Sequence, residues 1–194
     1  SVALYNIAGA CNRGLMQFDA AIICYKQALQ VNPEYADAYN NMGNALNAKG
    51  DSEAAIDSYQ QALKIKPDFA DAYNSLGAVL DHKGDLDSAI YNYKQALKIK
   101  PDYAEAYNNM GVSLNNKGDS EAAIDSYKKA LMIKPDYAQA YYNMGNAFKD
   151  NGDLESVIDS FKQAIQINPG YAEAYNNMGI ALNDKGDLES AIDS

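Results

Sequence analysis

The chain has 194 residues, 47% of them hydrophobic, with 26 acidic against 16 basic residues and a formal net charge of −10. That acidity argues against nucleic acid, whose phosphates need clustered Lys and Arg, and against docking on an anionic membrane surface. No run of about 18 apolar residues could span a bilayer, and neither a signal peptide nor an Arg-rich presequence opens the chain.

Five prolines organise the sequence. Pro33, Pro67, Pro101, Pro135 and Pro169 are each 34 residues apart. Aligned on that period, the chain reads as one array over 1–194 of six repeats: 2–35, 36–69, 70–103, 104–137, 138–171 and an incomplete 172–194. Positions are numbered within a repeat, so each proline falls at position 32. Position 4 is Tyr in all six, from Tyr5 to Tyr175, and position 8 is Gly, from Gly9 to Gly179. Position 21 is Ile from Ile22 to Ile192; position 24 is Tyr25, Tyr59, Tyr93, Tyr127 and Phe161; position 27 is Ala.

At 100° per residue, positions 4, 7, 8 and 11 share one face of a leading helix, and 20, 21, 24, 27 and 28 share one face of a trailing helix. Between them stands a turn such as Lys49-Gly50-Asp51. Gly is a preferred left-handed helix stop, Asp caps the next helix, and Pro closes it because it lacks an N–H. Each repeat is thus a helical hairpin, and hairpins must stack to cover their apolar faces.

Departures follow in chain order. Leu15, Met16 and Phe18 replace the polar turn in the first repeat, where they either pack on a further segment or terminate the array. His82, the one histidine, reads as a solvated surface residue in the third. Tyr142 replaces Asn at position 5 of the fifth, as an aromatic anchor or a packing group. The sixth breaks off at Ser194 inside its trailing helix, and the chain opens on Ser1, so a longer protein is expected.

Tyr at 4, Gly at 8, Ala near 20, an aromatic at 24, Ala at 27 and Pro at 32 resemble the tetratricopeptide repeat (TPR) over essentially the whole chain. The resemblance implies an all-α, right-handed α-solenoid of helix-turn-helix hairpins. It also implies that positions 2, 5, 6, 9, 12 and 13 of the leading helix, expected to face away from the core, line a concave groove.

That face is rich in asparagine. Position 6 carries Asn41, Asn109, Asn143 and Asn177; position 5 carries Asn40, Asn74 and Asn108, with Tyr142; position 9 adds Asn44 and Asn146. Asn is a mediocre helix former, and its amide supplies both a donor and an acceptor for a peptide backbone. The run resembles the asparagine-lined TPR arm of the O-linked N-acetylglucosamine transferases. By that resemblance Asn41, Asn109, Asn143 and Asn177 form a ladder, interrupted by Ile7 and Ser75. Asp37, Asp71, Glu105 and Glu173 at position 2 make the face acidic, which favours neutral or basic segments. Chaperone-binding TPRs hold a C-terminal carboxylate with Lys and Arg, and the matching positions here are Asn and acids.

No catalytic constellation, metal site or cofactor motif is found. The glycines carry no phosphate-loop pattern and the acids no calcium comb. Cys11 and Cys24 form no CxxC pair and suit reduced thiols in a cytoplasmic protein. The expected function is a protein-interaction scaffold that binds extended peptides, not an enzyme. The competing readings are a substrate-targeting arm of a larger glycosyltransferase or sulfotransferase, and an array that self-associates end to end.

Overall fold

The structure is a computed structural model that describes residues 1–186. Ile192, and the trailing helix expected before Ser194, lie outside the described residues. Eleven α-helices and no strand occur among the described residues. In chain order they are α1 (Val2–Gly14), α2 (Phe18–Val31), α3 (Ala36–Lys49), α4 (Ser52–Ile65), α5 (Ala70–His82), α6 (Leu86–Ile99), α7 (Ala104–Asn116), α8 (Ser120–Ile133), α9 (Ala138–Asp150), α10 (Leu154–Ile167) and α11 (Ala172–Lys185). Odd-numbered helices are the leading helices of the repeats and even-numbered ones the trailing helices.

The turns form as their chemistry requires. Gly50, Gly84, Gly118, Gly152 and Gly186 all take left-handed φ, and the Asp51 N–H donates to the Leu46 carbonyl at 2.9 Å to close the first of these turns. Asp51, Asp85, Asp119 and Asp153 then accept from the backbone N–H three residues on, at 3.1 to 3.2 Å. The first repeat departs from this. Met16 occupies the glycine position at φ 58° and is the only non-glycine residue with positive φ among the described residues. Gln17 stands where the others have Asp and makes no side-chain cap bond.

Two compact units result, Ser1–Pro101 and Asp102–Ser194. The first holds the hairpins α1/α2, α3/α4 and α5/α6, with α2 packed on α3 and α4 on α5. The second holds α7/α8 and α9/α10, with α8 packed on α9 and α10 on α11. In each, successive leading helices also meet: α1 with α3, α3 with α5, and α7 with α9.

The hairpin core is an aromatic pressed onto a glycine. Tyr25, Tyr59, Tyr93, Tyr127 and Phe161 are fully buried. A Cβ added to Gly9, Gly43, Gly77, Gly111 or Gly145 would come within 2.5 to 2.8 Å of a carbon of the facing ring. Glycine is therefore required at position 8 by close approach, not by φ. Burying each ring stabilises by about 1.5–3 kcal/mol.

Hairpins join through small residues. At position 10, Ala45 packs with Ala21, Ile22 and Tyr25, Val79 with Ala55 and Tyr59, and Ala147 with Ala123, Ile124 and Tyr127. At position 3, Ala72 packs with Ala62, and Ala174 lies in one cluster with Phe161 and Ala164. Recurrent ion pairs lie outside these contacts: Lys49 with Asp19, Lys83 with Glu53 and Lys185 with Glu155. Each joins a lysine at or just past the end of a leading helix to the first turn of the preceding trailing helix. These side chains are largely exposed, and such pairs contribute little to stability.

Candidate functional site

Asn41, Asn109, Asn143 and Asn177 at position 6 are each half-exposed on their leading helices. Position 5 corrects the expectation of an outward-facing residue. Asn40, Asn74 and Asn108 are buried, each under 8% exposed. Counting residues around one helix accounts for its partner in the hairpin. It leaves out the next leading helix, whose Asn143 reaches Asn108 in the second compact unit.

The two positions are wired together across repeats. Within the first compact unit, Asn41 Nδ2 donates to Asn6 Oδ1 at 3.1 Å. Within the second, Asn143 Nδ2 donates to Asn108 Oδ1 at 3.0 Å. Asn177 Nδ2 donates to the Tyr142 hydroxyl at 3.1 Å and to Asn146 Oδ1 at 3.3 Å. Asn41, Asn143 and Asn177 thus each use an N–H on the repeat before them. On the other side of its amide, Asn143 Oδ1 accepts from Gln139 Nε2 at 3.0 Å.

In the second repeat, position 9 is tied to the core aromatic. The Tyr59 hydroxyl donates to Asn44 Oδ1 at 2.8 Å. Burial pushes this phenol up to about 12, against a smaller opposing effect of its hydrogen bond to Ser75. In the first repeat position 9 is Ala10, and the buried Tyr25 hydroxyl is left without a partner. In the fifth repeat the core aromatic is Phe161, which has no hydroxyl, and Asn146 accepts from Asn177 instead.

Tyr142 is a packing group. Its ring stacks on Tyr171 with centroids 5.0 Å apart and lies 5.7 Å from Phe161. Tyr171 belongs to a set that sequence reasoning missed: position 34 is always aromatic, as Tyr35, Phe69, Tyr103, Tyr137 and Tyr171. These rings stand just before each leading helix. Two of them bond beside the asparagine positions: Asn6 Nδ2 donates to the Tyr35 hydroxyl at 3.4 Å, and the Tyr171 hydroxyl donates to Gln139 Oε1 at 2.8 Å. Burial raises the Tyr137 phenol, and the Glu105 carboxylate at position 2 raises it further. An aromatic at a fixed offset from every proline was the available signal.

Asp37, Asp71, Glu105 and Glu173 are exposed, and Asp150 accepts from Asn115 Nδ2 at 2.9 Å. His82 is exposed as well. Between α7 and α9 lies a hollow of about 120 Å³ lined by Val112, Asn115, Asn116, Tyr127, Asn143 and Asn146. The described residues hold no His, Cys, Asp and Glu group arranged for a metal ion, and no helix among them is long and apolar enough to cross a membrane.

Comparison with known proteins places this geometry. A family model described as TPR repeat matches residues 17–50, 43–81, 82–118 and 113–152, and models described as tetratricopeptide repeat match 138–171 and 160–193. No curated protein matches. A crystal structure of the MamA protein is 27% identical, with a TM-score of 0.75 over 89% of this chain and 94% of that one. YrrB, described as a TPR protein with an unusual peptide-binding site, is 24% identical, with a TM-score of 0.72 over 89% of each chain. The pilF protein of Pseudomonas aeruginosa is 15% identical, with a TM-score of 0.89 over 99% of this chain and 87% of that one. Helical hairpins at a 34-residue period, a glycine under each core aromatic and family matches along most of the chain have one meaning: this protein belongs to the tetratricopeptide-repeat family.

Proposed function

We propose that this chain is a protein-interaction scaffold, without catalysis of its own, that takes extended peptide segments along its asparagine stripe. The family's general role in protein binding supports the broad reading. The observation that carries the finer one is the shared wiring of position 6. Asn41, Asn143 and Asn177 each hold an N–H on the preceding repeat, so the amides are fixed before a ligand arrives. An amide has two N–H groups and a carbonyl oxygen, so Asn41 and Asn143 retain an N–H and an oxygen lone pair for a peptide C=O and N–H, while Asn177, whose two N–H groups are both used, retains its oxygen. Fixing the side chain beforehand lowers the entropy lost on binding. The exposed acids at position 2 and the net charge of −10 favour neutral or basic segments over acidic ones. The preferred environment is cytoplasmic.

The test uses the immobilised chain and three synthetic decapeptide pools, neutral, basic and acidic. Neutral and basic pools are retained and the acidic pool flows through. The quadruple variant Asn41→Ala, Asn109→Ala, Asn143→Ala, Asn177→Ala loses that retention while keeping its helical circular dichroism. Equal retention by variant and parent would remove the ladder and leave the fold intact.

A further inference from the structure

In the second and fourth repeats, the aromatic at position 34 carries a cation on its ring. Lys66 Nζ lies 4.6 Å from the centre of the Phe69 ring, and Lys134 Nζ lies 4.9 Å from that of Tyr137. Both lysines stand at position 31, three residues before the ring. An ammonium group at this distance is attracted by the negative face of the aromatic system. The protein's own side chains show what these rings accept.

The fifth repeat departs from this arrangement. Its position 31 is Asn168, which is uncharged and whose Oδ1 accepts from the Gly170 N–H at 3.2 Å. Tyr171 therefore has no lysine at the place that serves Phe69 and Tyr137. Its other neighbours have changed as well. Tyr142, aromatic where other repeats have Asn40, Asn74 and Asn108, stacks on the ring with centroids 5.0 Å apart. Gln139 replaces the acid of position 2 and accepts from the Tyr171 hydroxyl at 2.8 Å. The carboxylate beside the ring is that of Glu173, exposed in the first turn of α11. Burial raises the Tyr171 phenol, Tyr142 raises it further against the opposing bond to Gln139, and the Glu173 charge adds a smaller push. Asn177 joins this group to the asparagine stripe, since its Nδ2 donates to the Tyr142 hydroxyl.

We propose that Tyr171 and Glu173 form a seat for a lysine or arginine side chain of the segment bound along the asparagine stripe, an inference that rests on the peptide-binding reading above. The bound segment supplies the cation that position 31 supplies to Phe69 and Tyr137. Tyr142 backs the ring, Gln139 holds its hydroxyl, and Glu173 balances the incoming charge. A neutral side chain at the same point gains neither the ring face nor the carboxylate. The acidity of the whole chain draws basic segments from a distance, whereas this seat decides where along the segment the charge must fall.

Fluorescence anisotropy of the whole chain with two labelled decapeptides of Ser and Ala tests this. One carries a central arginine and the other citrulline, its uncharged counterpart, in that place. The arginine peptide should bind about fivefold more tightly. Asn168→Lys returns to the fifth repeat the lysine that the second and fourth carry, and in this variant the two peptides should bind alike. Tyr171→Leu should equalise them too, with the helical circular dichroism and the affinity for the citrulline peptide unchanged. Asp37→Asn, at position 2 of α3, should keep the preference. A preference that survives Asn168→Lys or Tyr171→Leu, or that is lost in Asp37→Asn, would overturn the seat in favour of the general field of the chain. Equal affinities in the parent would overturn the seat and leave the peptide-binding reading standing. Failure of the parent to bind either peptide would overturn both.

Discussion

Met16 carries a side chain where its counterparts carry none. Its φ of 58° lies in the left-handed region, which costs a non-glycine residue about 1–2 kcal/mol. Met16→Gly should stabilise the chain by about 1 kcal/mol, read from the midpoint of urea unfolding, and Gln17→Asp should contribute a similar amount by restoring the missing cap. The core phenols separate in the same way. Tyr59 is bonded to Asn44, whereas the buried Tyr25 hydroxyl has no partner. Tyr59→Phe should cost about 1 kcal/mol, and Tyr25→Phe should be neutral or stabilising. Tyr59 also sets an alkaline limit. Its folded pKa of about 12 exceeds the ordinary phenol value near 10, so its contribution is complete below pH 10 and lost as the pH rises through 12. Urea midpoints at pH 9 and pH 11.5 should differ less in Tyr59→Phe than in the parent. The sequence contained Gly50 and Asp51 as a stop and a cap, and the structure uses them so. It could not reveal that Tyr25 lacks a partner, because that depends on which side chains other helices bring to its hydroxyl.

At the scale of the helix, the leading elements serve two masters. Within each compact unit, positions 3, 7 and 10 belong to the hairpin behind, and position 5 to the leading helix ahead. Amphipathic periodicity found the hairpin face, since Gly43 and Tyr59 meet as the 100° rule requires. It misassigned Asn40, Asn74 and Asn108 because a third neighbour is invisible to a single-helix count. Asn41, Asn109, Asn143 and Asn177 are half-open on the leading helices. Packed helices lie about 8–10 Å apart, close to three residues of extended chain at about 3.3 Å each. Asn109, Asn143 and Asn177 in the second compact unit are therefore two such intervals, or about seven peptide residues. Fluorescence anisotropy with neutral peptides of increasing length should show affinity climbing until about seven residues and rising little after that for this unit alone.

The molecule as a whole is a sum of similar parts. In such arrays stability is close to a total of repeat and nearest-neighbour contributions. The five evenly spaced prolines made that organisation legible at once. Deleting residues 36–69, one full period, should leave a chain with unchanged helicity per residue and a melting point lower by a few degrees. Deleting only the α3 stretch should unfold the first compact unit, since it removes the face covering α2 and leaves Tyr59 without its glycine.

The amide wiring carries one more consequence. At position 6, Asn41, Asn143 and Asn177 each donate to the residue 35 positions earlier. The row of side-chain dipoles therefore has a head and a tail, and a polypeptide backbone laid along it also has a head and a tail. A segment synthesised with its order of residues reversed presents the same composition and the same charge, yet it should be held measurably more weakly.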